Sequence, residues 1–290
     1  MQYVFLSGVP EGIPNSAFVC ITSLIGFILL FMVFFNELFR VDKNHIIQSL
    51  ILSSQLFLFN YFLLKGSSDL DAVTISCVVS AYFMFIPIIE IILFKVFPNP
   101  SKVISIVIVL IGILFIMNWE LRNLYNVKIF YLIIADIAMA AYVISTGYFA
   151  SRSNPSILAM GQLLFIAIIS FIAWCVEAKI KGTRISLPTE PMFWGSVIFI
   201  SVFIRGLYTV IQTYAQRFVS PLNTSMIFST EIIITMLTST AVSRYFGLHT
   251  SEFVITTNMC IGAVLMVIGI LIGDPSMLNA FKLKKRSTNV

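Results

Sequence analysis

The sequence predicts an all-α, polytopic membrane protein: a bundle of nine transmembrane helices arranged as two inverted-topology repeats. Three observations predict it. Of 290 residues, 59% are hydrophobic and 11% charged, with a mean hydropathy of +0.99, whereas about a quarter of a soluble domain is charged. Apolar runs of about 20 residues recur almost end to end, each long enough to cross roughly 30 Å of hydrocarbon as a helix. Segments in the first half also match segments in the second, with Lys65 falling on Arg217, Leu70 on Leu222 and Asp71 on Asn223, a shift of about 150 positions.

The elements follow from the polar connections that end them. A helix over 15–37 stops at NELFRVDKNH, the next over 46–64 at KGSSDLD, and a third over 73–95 at FPNPSK. Helices over 103–118 and 129–150 end at NWELRNLYN and SRSNPS. The long EAKIKGTRISLPTEP follows 156–176, QRFVSPLN follows 193–216, RYFGLHTSE follows 223–243, and the last helix runs over 254–273. The opening MQYVFLSGVPEGIP is too short and too broken by Gly and Pro to span, and it lacks the charged start of a signal peptide; it reads as the last turn of a helix lost upstream. The members of each matched pair are an odd number of crossings apart, so they run oppositely through the bilayer. Inverted repeats of this kind are a recurring construction in secondary transporters.

The net charge of +5 lies largely in the tail KLKKR. Basic residues beside a last helix mark the cytoplasmic side and not a nucleic-acid surface. Counting Lys and Arg in alternate loops likewise favours a cytoplasmic tail, which with nine crossings puts the N-terminus outside. Cys20, Cys77, Cys175 and Cys260 sit singly in separate apolar segments, and His45 and His249 fall in loops, so neither disulfide nor metal spacing is present. No cofactor is implied.

Charges at membrane depth are expensive and usually functional. Glu90, Asp136, Arg205 and Glu231 qualify. At 1.5 Å rise per residue, Arg205 and Glu231 sit roughly 12–18 Å from the cytoplasmic side on consecutive helices, which leads us to expect an ion pair between them. Asp136 is about 10 Å from the outer surface and reaches the arginine only if the helices tilt. Glu90, close to Lys95, reads as a snorkelling side chain. Tyr208, Gln212 and Gln216 follow Arg205 along one helical stripe, which should face a cavity, since a lipid-facing amide would go unsatisfied. Asn60 matches Gln212 under the repeat shift, and Gln55 lies nearby. The expected substrate-binding set is therefore Arg205, Glu231, Gln212, Tyr208, Asn60, Gln55 and Asp136, with Tyr82 and Tyr142 as further stacking candidates. The rival reading of the polar groups is helix–helix glue.

QTYAQRFVSPLNTSMIFSTEIIITML (212–237), IGAVLMVIGILIG (261–273), YFLLKGSSDLDA (61–72), FIPIIEIIL (85–93) and IVLIGILFI (108–116) resemble the two-repeat EamA-type transporters of the drug/metabolite transporter superfamily. The likeness spans nearly the whole chain. It implies a ten-helix fold with both termini inside, of which this chain shows nine, and transport of small metabolites. Two departures are plain: Glu231 is followed by Ile232, where the family often has proline, and KVFPNPSK replaces the usual acidic-basic pair. The organisation implied is a first repeat over 1–122 lacking its first helix, a second over 123–275, and a basic cytoplasmic tail over 276–290.

The expected function is secondary-active transport of small polar, amino-acid-like or drug-like solutes by alternating access, in the export direction, in the plasma (inner) membrane. The expected partners are that small-molecule substrate, with proton coupling as an option, and the lipid bilayer; no nucleic acid is expected and a homodimer is left open. The alternatives are a non-transporting scaffold or truncated remnant, and an intramembrane enzyme. For the last, no Ser/His/Asp set, metal cluster or phosphate loop is visible, so no catalytic residue is assigned.

Overall fold

The computed structural model describes residues 14–67, 70, 72–95, 97–117, 127–181, 191–235, 237 and 256–273, and among these it contains helices and no strand. The opening stretch read as a helix remnant, the basic tail and the end of the helix expected over 223–243 lie outside the described residues. Helix α1 is Asn15–Val33, α2 Lys43–Ser67, α3 Thr74–Phe94, α4 Pro100–Ile116, α5 Val127–Ala150, α6 Pro155–Lys181, α7 Trp194–Ala215, α8 Pro221–Ser229 and α9 Thr257–Gly273. Six of them (α1, α2, α3, α5, α6 and α7) are long and apolar enough to cross a membrane, and α4 and α9 are shorter apolar helices. Met32, Ile92, Phe130 and Ile180 present large apolar side chains outward, as the bilayer requires of a helix whose backbone is satisfied internally.

Starts and stops follow local chemistry. Pro100, Pro155 and Pro221 occupy first-turn positions, where the missing N–H is one the helix leaves unused. Asn154 Oδ1 accepts the Ser156 N–H at 3.0 Å and caps α6, and Ser220 Oγ accepts the Asn223 N–H to cap α8. Asp42 caps α2, its Oδ1 accepting the His45 N–H at 2.8 Å. Helix α3 ends at Lys95, which takes a left-handed conformation with φ 56°.

Two helices depart from α geometry midway. In α3, Ala81–Met84 is a 3-10 turn, and Pro87, lacking an N–H, leaves the Phe83 carbonyl without its usual partner. In α7, Ile200–Tyr208 is a π-helix. The residues expected over 15–37 divide into α1 and a 3-10 turn, Phe35–Arg40. Past Ser229, α8 breaks at Thr230 and helix resumes over 231–235.

Helix α4 packs along α9, α2 against α5 and α6, and α1 against α6 and the π-segment of α7. Small residues allow these approaches. A Cβ on Gly112 would lie 2.8 Å from the Gly262 carbonyl, and one on Gly26 would lie 2.8 Å from Arg205 Cβ. Buried hydroxyls of Thr22, Ser53, Thr146 and Thr213 donate to carbonyls a turn earlier in their own helices, which satisfies them without water.

Candidate functional site: a polar cavity between the helices

Helices α2, α3, α5, α7 and the α8 segment with its continuation enclose a cavity of about 460 Å³. Its wall carries Phe59 and Asn60 from α2, Ser80 and Tyr82 from α3, and Met139 and Tyr142 from α5. From α7 come Phe203, Arg205, Tyr208, Thr209 and Gln212, and from α8 onward Phe228, Thr230 and Glu231. The lining is mostly apolar and aromatic with a few polar groups, the usual makeup of a small-molecule site.

Arg205 reaches this wall from the π-helix, where Thr209 Oγ1 donates to the Ile204 carbonyl five residues back. Such widened turns are frequent at functional sites. Arg205 is 5% exposed, and its Nη2 donates to Asn60 Oδ1 at 2.8 Å. Asn60 Nδ2 in turn donates to the Leu56 carbonyl at 2.6 Å, which fixes the amide with its oxygen toward the arginine. Arg205 Nε is buried without a hydrogen-bond partner. Behind the guanidinium wall, the Tyr142 hydroxyl donates to Gln162 Oε1 at 3.0 Å, and Gln162 Nε2 donates to Thr213 at 3.4 Å. Fully buried Gln162 thereby ties α5, α6 and α7 together.

The structure brings five of the seven expected residues to one cavity: Arg205, Glu231, Gln212, Tyr208 and Asn60. The direct Arg205–Glu231 ion pair is not formed. The guanidinium is turned toward α2 and bonded to Asn60, while half-buried Glu231 sits on the continuation beyond the α8 break. The other two expected residues are off the cavity wall. Gln55 donates to Ser145 Oγ at 3.0 Å and so links α2 to α5. Asp136 is 1% exposed, with its Oδ1 unpartnered; Arg205 has no hydrogen bond with it. Gln216, expected on the same stripe, is buried away from the cavity with both amide atoms unpartnered.

The sequence reading did not single out Ser80, Thr209 or Thr230. A signal was available for two of them, since Ser80 and Thr230 stand about 150 positions apart, close to the shift expected between the two halves. At their positions both α3 and α8 leave α geometry. Ser229 Oγ donates to the Ser80 carbonyl at 3.3 Å, joining the two breaks.

Residues 1–118 match the family described as EamA-like transporter family. A solved structure titled "Crystal structure of protein" is similar to the chain with a TM-score of 0.70 at 13% identity, over 97% of this chain and 96% of that one; at that identity the likeness is one of fold. No curated protein matches the chain. The first part of this integral, multi-pass membrane protein, residues 1–118, is thus similar to the EamA-like transporter family.

Proposed function

We propose that the protein is a secondary-active exporter of small polar solutes of amino-acid-like character, working by alternating access. The observation that carries this reading is that a buried guanidinium, held by a neutral amide, shares one cavity wall with a carboxylate. Arg205 is held by the neutral Asn60 amide and keeps a free Nε–H, so it can donate a charge-assisted hydrogen bond to a substrate carboxylate. Glu231, on the same cavity wall, supplies the opposite charge for an ammonium group. Gln212, whose Nε2 is buried without a partner, adds a further donor, and the ring pair of Tyr208 and Phe228, 5.3 Å apart, offers an apolar face.

Alternating access requires two halves that exchange roles, and several paired contacts support nine crossings built as inverted repeats. Gly112 meets Gly262, and Ser80 meets Ser229, each pair about 150 positions apart in sequence. The contact of Gly161 with Ser49 is matched by that of Gly26 with Ser201, and Ser49 and Ser201 are related by the same shift. Correspondingly, α2 packs on α6 as α1 packs on α7.

The test is efflux from proteoliposomes loaded with a panel of radiolabelled amino acids and amines. Arg205→Ala and Glu231→Gln should each abolish transport while the purified protein stays monodisperse. Transport retained in both variants would discard the proposal.

A further inference from the structure

Asp136 is a membrane-depth carboxyl that the cavity does not use. It is 1% exposed and its Oδ1 has no hydrogen-bond partner. An isolated carboxylate in such a place is strongly disfavoured, and the group is retained at lower cost by holding a proton. A second buried group without a hydrogen-bond partner lines the cavity itself. Tyr82 is 4% exposed, lines the cavity, and has a hydroxyl without a hydrogen-bond partner. This tyrosine is within electrostatic reach of both Asp136 and Glu231. It rides on the 3-10 turn of α3, just before the helix-weakening Pro87, and α5 packs directly on that turn.

We propose that Asp136 is a proton-binding site separate from the substrate cavity, closed off by Tyr82 and opened to the cavity when α3 flexes at its 3-10 turn. Among the titratable and charged side chains that line the cavity from the elements packed against α5 are Tyr82 on α3, Arg205 and Tyr208 on α7, and Glu231 beyond α8, and of these Tyr82 interacts electrostatically with Asp136. Arg205 is hydrogen-bonded to Asn60 instead, and among the described residues no cation forms an ion pair with Asp136. Two buried polar groups without hydrogen-bond partners, one on the cavity wall and one off it, would give a proton a route too enclosed for a solute. In a transporter that alternates between states, a site that takes its proton only when one helix bends would couple the proton to the conformational change. That coupling rests on the reading given under Proposed function; the protonation of Asp136 does not.

Infrared difference spectra of the full chain in nanodiscs, recorded between acid and alkaline pH, read the C=O band of protonated carboxyls. We expect a band that is lost in Asp136→Asn and kept in Glu231→Gln. A spectrum that Asp136→Asn leaves unchanged overturns the proposal, and so does one changed only by Glu231→Gln, which would put the proton in the cavity. If Asp136→Asn does not fold, wild-type protein is treated with a hydrophobic carbodiimide, which couples to protonated carboxyls. Mass spectrometry should then find the peptide carrying Asp136 modified; an unmodified peptide overturns the proposal. Neither readout needs transport, so a failed efflux assay and a failed proton site are separate results.

Discussion

Arg205 Nη2 and Asn60 Oδ1 are 2.8 Å apart, and both side chains are buried. This bond joins the second half of the chain to the first across the cavity they share. A neutral amide oxygen stabilises the guanidinium without cancelling its charge, whereas a carboxylate in the same place would neutralise it. Arg205 therefore keeps its charge available locally to an anionic group, and the fold keeps a polar tie between α2 and α7.

Replacing Asn60 separates these two roles. Asn60→Ala leaves a buried donor unpaired and should lower stability by about 1–3 kcal/mol, read as a loss in thermal midpoint in nanodiscs, with transport impaired. Asn60→Asp should hold the arginine more firmly yet abolish transport of a carboxylate-bearing substrate, because an internal carboxylate now competes for Arg205. An Asn60→Asp variant that transports normally would show that the free charge is not what the substrate uses.

Gly26 sets how closely α1 approaches the arginine. A Cβ there would lie 2.8 Å from Arg205 Cβ and 3.3 Å from the Ser201 carbonyl, and neither neighbour is the free end of a flexible chain. Gly26→Ala should destabilise by about 1–3 kcal/mol through overpacking and weaken transport by displacing the guanidinium. At Gly195 nothing lies within 4 Å of where a methyl would sit, so Gly195→Ala should be neutral or stabilising by up to about 1 kcal/mol. Chemical or thermal denaturation of the two variants side by side checks the contrast.

Depth along a helix axis was legible in the sequence, and rotation about the axis was not. Counting residues placed Arg205 and Glu231 at similar depth, and both line the cavity. The expected ion pair assumed α geometry, but α7 is a π-helix over Ile200–Tyr208, which turns Arg205 toward α2, and no local composition announces that change. The same limit explains Asp136 and Gln55, both expected on the substrate pathway but lying off the cavity wall. The helix class was readable because twenty-residue apolar runs admit no other satisfied backbone. The interruptions of α3 and α8 were half readable, since Pro87 marks the first and nothing comparable marks the second.

The crossing of α4 and α9 is governed by Gly112 and Gly262. A Cβ on either would collide with the carbonyl of the other, so both helices must separate if either glycine gains a side chain. Gly112→Val and Gly262→Val should each lower the thermal midpoint, at a cost of about 1–3 kcal/mol or more. The double variant should cost less than the two effects added, because one displacement already relieves the second clash. Additive losses would mean the helices do not move as one contact.

Acid should loosen the start of α2 through Asp42. The His45 backbone N–H donates to Asp42 Oδ1 at 2.8 Å, and that bond, with the His45 ring beside it, holds the Asp42 carboxyl below the ordinary carboxylate range. A folded-state value lowered in this way gives stability that is fully present above the unfolded value, near pH 3.9, and is lost as pH falls through the folded one. Hydrogen exchange at the first turn of α2 should therefore be slow and unchanging from neutral pH down to the carboxylate range, then quicken below it relative to the intrinsic rate. Asp42→Asn keeps an oxygen acceptor at the cap, so it should hold the turn at neutral pH and remove the acid-dependent step. Asp42→Ala should quicken exchange at all pH values. An acid step that persists in Asp42→Asn would assign the effect to another carboxylate.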